Sequence, residues 1–328
     1  MAAGRADRDD PLRRAGRPAG PAHPRHPGPA GAGVVIEVLR AGALTTVQDQ
    51  GRPGWAHLGV PRSGALDPAA LRLANRLVGN PEHAAGLEIT VTGCVLRLTR
   101  AVTVALTGAP ADVRVEHPPR TGSTASGRVR RPGDVGRPLS LPAGAVLRIG
   151  PAHVGVRTWL AVSGGIAVEP VLGSRSTDTL SGLGPPPLRD GDRLPLGPPT
   201  GPPPVDLVIA RPVPTDLRLV VRPGPRRDWF APDAFDRLRR AAYTVGTDSN
   251  RVGARLAGAA LPRAVAGELP SEGLVLGAVQ VPPDGQPLVF LADHPTTGGY
   301  PVIGVVDDVT PLAQARPGTT VRFHGPQR

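Results

Sequence analysis

Glycine and proline recur so often in this chain that long regular elements are ruled out. Its 328 residues include 43 Gly and 42 Pro. Proline removes a backbone donor and fixes φ, and glycine weakens helix and strand interiors. Between these breaks lie short runs rich in Val, Ile, Leu and Thr, at 34–39, 87–92, 94–98, 102–106, 112–116, 145–149 and 154–162. Similar runs follow at 205–210, 217–222, 274–281, 287–292, 302–306 and 319–323. Short strands bounded by Gly, Pro and Asp are the mark of a β-sandwich or barrel. Two helices are expected among them. At 67–79, Asp67 is an N-cap, Pro68 takes the first helical position, Leu71, Ala74 and Leu77 share a face, and Gly79 ends the element. At 232–242, Phe235, Leu238 and Ala242 share a face. The fold class is therefore mainly β with a few short helices.

Composition divides the chain into four parts. Residues 1–33 hold six Pro, six Gly, eight Ala and six Arg but only one large aliphatic residue, Leu12. Too little apolar surface is available to offset the entropy of ordering them, so a disordered leader is expected. A start at Val34 or Val35 is the alternative. A first β lobe is expected at 34–183. Residues 184–204 carry nine prolines and read as a stiffened linker or surface loop. A second β lobe is expected at 205–328.

The basic residues narrow the chemistry. All 38 are arginine, with no lysine, so the chain can form no lysine Schiff base, carry no biotin on itself and use no P-loop lysine. The formal net charge of +11 comes from scattered arginines with almost no aromatics to stack bases, so nucleic acid is not the expected partner. Scattered arginine suits a small anion or an acidic partner. The single cysteine, Cys94, excludes an intrachain disulfide and a cysteine metal cluster. His57, His153 and His294 lack metal-ligand spacing, so no metal is expected. No run of 18 apolar residues and no signal peptide is present, which makes the cytoplasm the expected location and a membrane role unexpected.

Four polar, glycine-containing segments stand out, at 45–52, 61–67, 246–256 and 271–300. Loops of this kind commonly house binding sites. Arg52, Arg62, Arg251 and Arg255 offer forked donors for a carboxylate, carbonate or phosphate. Gln48, Asn250, Gln280 and Gln286 can read an amide or ureido group. Ser63 and the Thr297-Gly298-Gly299 corner are further substrate-binding candidates, the glycines permitting close backbone approach. Asp49 and Asp248 are the catalytic candidates, as acid/base or loop-ordering groups. Each segment also has a structural reading: a turn at Pro283-Asp284-Gly285, a bulge at 297–299, a cap at 248–250 and an Asx-turn at Asp49.

The stretches Thr45-Thr46-Val47-Gln48-Asp49, Gly59-Val60-Pro61-Arg62-Ser63-Gly64-Ala65-Leu66-Asp67, Ala74-Asn75-Arg76-Leu77-Val78-Gly79-Asn80, Leu87-Glu88-Ile89-Thr90, Gly173-Ser174-Arg175-Ser176-Thr177-Asp178 and Ser249-Asn250-Arg251-Val252-Gly253, with the 270–301 run, resemble the biotin-dependent carboxyltransferase family of the allophanate hydrolase subunit 2 type. That family includes the C subunit of 5-oxoprolinase, the antagonist of the kinase inhibitor of sporulation, and the carboxyltransferase half of urea carboxylase. The resemblance spans 34–325. It implies two cyclophilin-like β-barrel lobes. It also implies a partner of the allophanate hydrolase subunit 1 type, the B subunit, joined in 5-oxoprolinase by an A subunit. It implies ATP-dependent opening of 5-oxo-L-proline to L-glutamate, although no nucleotide motif is visible in the chain. Two alternatives follow from the same resemblance. One is carboxyl transfer from carboxybiotin, carried on another protein, to urea or another amide. The other is a non-catalytic antagonist that binds the B subunit.

Overall fold

The computed structural model describes residues 34–117, 128–132, 135–203, 207, 212–267 and 269–326. The expected disordered leader at 1–33 lies outside these residues, as does the strand expected at 205–210 except for Leu207.

The first half builds two sheets. One has the order β11 (Arg193–Pro195), β1 (Val34–Arg40), β4 (Cys94–Leu98), β9 (Val146–Ala152), β6 (Ala111–Glu116) and β7 (Arg128–Pro132). The other runs β2 (Leu44–Gln48), β3 (Gly86–Thr90), β10 (Arg157–Val162), β5 (Val102–Gly108) and β8 (Pro138–Leu141). All these pairings are antiparallel. Alternation supplies the shared core: Leu96 and Leu98 of β4, and Leu147 and Ile149 of β9, pack with Val47, Leu87, Val104, Leu106 and Leu160 of the second sheet. Cys94 is buried in this core, and burial pushes its thiol up to about 12, so it behaves as a small hydrophobe. Within the Pro-rich 184–204 stretch, β11 adds a short edge strand to β1.

The second half closes a seven-stranded barrel: β12 (Asp216–Pro223), β19 (Val302–Val306), β16 (Ala278–Gln280), β17 (Leu288–Phe290), β14 (Gly253–Gly258), β13 (Ala242–Val245) and β20 (Thr320–His324). Closure depends on the one parallel pairing in the barrel, between β12 and β20. Leu217, Leu219 and Val221 point inward at every second position and meet Tyr243, Leu256, Val279, Ile303 and Phe323. A two-stranded ribbon joins β15 (Glu272–Gly273) to β18 (Thr297–Gly298).

Helix α1 (Pro68–Leu77) forms as the sequence predicts. The Asp67 carboxylate caps it by accepting from Ala70 N at 2.9 Å, and Gly79 leaves it in the left-handed region at φ +74°. Its apolar face, Ala74 and Leu77, packs with Ala105 of β5 and Ala161 of β10. Helix α2 (Ala234–Arg240) is shorter than expected. Ala242 belongs to β13 and is exposed, because the chain extends after Arg240 to pair with β14 and β20.

The two halves share apolar packing. Leu66, Leu71 and Trp159 from the first half belong to the same buried cluster as the barrel interior. This junction positions the candidate site.

Candidate functional site

Three polar elements of the first half meet at the junction. Strand β2 is buried on both faces, so each of its polar side chains needs a partner. Thr45 Oγ1 donates to the Ala41 carbonyl at 2.6 Å, and Gln48 Nε2 donates to the Thr177 carbonyl at 2.9 Å. The Asp49 carboxylate then organises two loops. Its Oδ1 accepts from Gly51 N at 2.8 Å, Ser174 Oγ at 2.6 Å and Ser176 Oγ at 2.5 Å, while Oδ2 accepts from Arg175 N at 2.6 Å. Arg52, 1% exposed, donates through Nη2 to the Ser176 carbonyl. Burial holds its guanidinium below the ordinary value, against attraction from Asp178, Asp49 and Asp293.

The next turn brings two backbones together. Ser63 adopts φ +53°, uncommon for a residue with a Cβ. Gly51 opposite has φ +82°, and a Cβ there would lie 2.6 Å from the Ser63 carbonyl. Ser63 Oγ donates to Asp293 Oδ1 at 2.8 Å and is placed to donate to the Thr177 carbonyl at 3.0 Å.

Asp293 belongs to a buried charge network across the junction. Arg251 Nε donates to Asp293 Oδ2 at 2.9 Å, and its Nη2 donates to Asp293 Oδ1 at 3.0 Å. Arg251 Nη1 donates to Glu88 Oε1 at 2.5 Å and Nη2 also donates to the Gly64 carbonyl at 2.6 Å. Glu88 Oε2 accepts from Leu66 N at 2.9 Å and Trp159 Nε1 at 3.2 Å. Arg157 Nη1 donates to the Ala313 carbonyl at 2.7 Å, and its Nε lies 3.2 Å from Glu88 Oε1 in an ion contact too poorly angled for a hydrogen bond. Burial would lower the Arg251 pKa, but Glu88 and Asp293 outweigh it and raise it. Burial would likewise raise the Asp293 pKa, but Arg251, with Thr179 donating from N at 3.0 Å and Oγ1 at 2.7 Å, holds it below the ordinary carboxylate value.

In front of this network lies a cleft of about 120 Å³, lined from the first half by Gln50, Arg62, Ser63 and Leu66, and from the second by His294, Asp307, Asp308 and Thr310. Arg62 is exposed. His294 is mostly buried, and burial lowers its pKa despite the Pro295 carbonyl, Asp293 and Asp178. Its Nδ1 lies 2.7 Å from the Pro295 carbonyl. A carbonyl only accepts, so Nδ1 carries the proton and Nε2 is the basic nitrogen.

The structure thus gathers Gln48, Asp49, Arg52, Ser63 and Arg251 about one junction, with Arg62 on its cleft. Arg251, expected as an anion clamp, grips anions of the protein itself. The other candidates stand elsewhere. Asp248 is exposed on the β13–β14 hairpin. Asn250 Oδ1 accepts from Val252 N at 2.8 Å in an Asx-turn, not a helix cap. Gln286 Oε1 accepts from Gly258 N at 2.8 Å. Gln280 Nε2 donates to the Tyr300 carbonyl at 3.0 Å, beside Gly298. Thr297 is exposed and Gly299 half-buried. Among the described residues no hydrogen bond joins these to the Asp49–Arg251 group. Glu88, Arg157, Thr179 and His294 are not among the site residues expected from sequence. Glu88 carried a signal, a charge inside an apolar strand run. Among the described residues no cluster of His, Cys, Asp and Glu is arranged to hold a metal ion, and no helix is long and apolar enough to cross a membrane.

The two β halves thus meet at a buried, ion-paired junction beside a cleft lined from both. The family described as "Carboxyltransferase domain, subdomain A and B" matches residues 58–325, and the chain belongs to it. It is 40% identical over 297 residues to the C subunit of 5-oxoprolinase from Escherichia coli, covering 88% of this chain and 90% of that one. The crystal structure of TTHA0988 matches at 40% identity and TM-score 0.76, over 89% of this chain and 55% of that one. The urea amidolyase of K. lactis matches at 28% identity and TM-score 0.78, over 90% of this chain and only 19% of that much longer one.

Proposed function

We propose that this chain is the C subunit of a 5-oxoprolinase, acting with the A and B subunits in the cytoplasm to open 5-oxo-L-proline to L-glutamate at the expense of ATP. The observation that carries the reading is the 40% identity, over nearly the full length of both chains, to the E. coli 5-oxoprolinase C subunit.

The cleft supports a part for this subunit in binding. A lactam carbonyl is a poor electrophile, so activation, positioning and proton handling must all contribute. The exposed Arg62 guanidinium offers a forked contact to the substrate carboxylate. Neutral His294 holds a lone pair on Nε2 that can take a proton from the water attacking the lactam carbonyl, which then passes to the leaving nitrogen. Ser63 is anchored by its hydroxyl donating to Asp293 Oδ1, giving the cleft a fixed wall. Asp49 orders the loops behind it.

Two cofactors are expected of the family. Among its lining residues the cleft offers one cation, Arg62, and about 120 Å³ against a triphosphate, with Asp308 adding negative charge beside the Arg222-paired Asp307, so the cleft does not fit ATP. Biotin, having no lysine to join here, would arrive on another protein. Bound there it would supply a carboxyl carrier.

Omission tests the proposal. Co-expressed with the A and B subunits, the chain is expected to support ATP-dependent glutamate formation. Equal glutamate formation without it would overturn the reading. The likeness to urea amidolyase favours a second reading, carboxyl transfer to urea, which predicts discharge of a carboxylated biotin carrier in the presence of urea.

A further inference from the structure

Four buried polar atoms behind the cleft have no hydrogen-bond partner within the protein: Gln48 Oε1, Arg52 Nη1, Thr177 Oγ1 and Asp178 Oδ2. Their residues are at most 2% exposed. They sit on two segments bonded to each other. Gln48 Nε2 donates to the Thr177 carbonyl at 2.9 Å, Arg52 Nη2 donates to the Ser176 carbonyl, and Thr177 N donates to the Val47 carbonyl at 2.9 Å. The side chains are not free to turn outward. Asp178 Oδ1 is fixed by Leu180 N at 2.9 Å and Ser181 N at 3.1 Å. Asp178 is the acid that most strongly attracts Arg52, yet the two make no ion pair. Buried polar groups without partners are destabilising, and several in one place call for an explanation.

Their chemistry specifies a complement. Gln48 Oε1 and Asp178 Oδ2 only accept, Arg52 Nη1 only donates, and the Thr177 hydroxyl does either. A group presenting one carbonyl oxygen and one or more N–H groups is the chemical complement of this set. An anion does not fit, because carboxylates Asp49 and Asp178 flank the single guanidinium. Ser63 adjoins the group: it lines the cleft, and its Oγ is 3.0 Å from the Thr177 carbonyl.

We propose that Gln48, Arg52, Thr177 and Asp178 form a subsite that reads a neutral amide: Arg52 Nη1 donates to the ligand carbonyl, and Gln48 Oε1 and Asp178 Oδ2 accept from its N–H groups. Thr177 and Asp178 become specificity-determining residues. The inference rests on the amide-handling reading above and names the residues that recognise the amide, be it a lactam or urea.

The test is calorimetric titration of the full chain with 5-oxo-L-proline and with urea, L-proline serving as the control without a lactam carbonyl. At least one amide is expected to bind. Thr177→Val and Asp178→Asn should each weaken that binding about tenfold or more. Thermal melting separates a binding role from a structural one. Thr177→Val removes a hydroxyl that has no partner, so its melting temperature should hold or rise while binding is lost. Failure of both amides to bind the wild-type chain would overturn the subsite, as would unchanged amide affinity in both variants. Urea binding that the variants abolish, together with failed glutamate formation, would keep the subsite and discard the 5-oxoproline reading. Glutamate formation with unchanged 5-oxoproline KM in both variants would do the reverse.

Discussion

Arg251 and Glu88 stand 163 positions apart in the sequence and meet in a 2.5 Å bond with both side chains 1% exposed. The pair joins the barrel half to strand β3 of the first half, and Asp293 completes the grip on Arg251. Arg251→Met leaves Asp293 buried without its counter-charge and Glu88 with only its ion contact to Arg157. Breaking such a pair from one side costs about 3–5 kcal/mol, so denaturant unfolding should show a loss of that order. Arg251→Lys should recover little of it, because one ammonium cannot reproduce the forked bonds to Asp293 while reaching Glu88 and Gly64.

Asp49 gives a smaller, local effect. In Asp49→Asn an amide nitrogen must replace one carboxylate oxygen, setting a donor against either the Arg175 N–H or the Gly51, Ser174 and Ser176 donors. One acceptor function is lost, for about 1–3 kcal/mol. The loss should appear in equilibrium unfolding, and faster amide exchange should be confined to 49–52 and 174–176.

Two buried groups held below their ordinary values contribute to acid stability. His294 starts from 6.5 and Asp293 from 3.8. In each case the unfolded chain binds the proton more readily, so stability rises with pH across the interval between folded and unfolded values. The His294 contribution is present above 6.5 and declines as pH falls below it. The Asp293 contribution is present above 3.8 and is lost as pH falls through its lowered folded value. Thermal melting from about pH 8 to about pH 3 should show two successive declines, and His294→Gln should remove the first.

Arg62 and Asp248 are both exposed, so replacing either with Ala should change stability by no more than about 0.5 kcal/mol. Their effects on turnover should differ. Loss of a charged hydrogen bond to the substrate carboxylate is worth about 1.5–3 kcal/mol, so Arg62→Ala in the reconstituted enzyme should raise the 5-oxoproline KM more than tenfold. A KM within twofold of wild type would remove Arg62 from the substrate contact.

The sequence alone determined the β character, helix α1 and its cap, and the absence of lysine chemistry. These follow from local signals: alternation every second residue, a carboxylate three positions before the N–H it caps, and residue types that are present or missing. The same locality explains the errors. Ala242 fits a helical face by spacing but is drawn into β13 by pairing with strands far along the chain. The Asp-Ser-Asn segment caps no helix because a hairpin takes it. Tertiary structure alone decided that Arg251 is spent on Glu88 and Asp293, that His294 is the cleft imidazole, and that Thr177 and Asp178 lie beside Gln48 and Arg52 with atoms unpaired. Burial and charge pairing between distant segments are properties of packing, and no spacing within one segment encodes them.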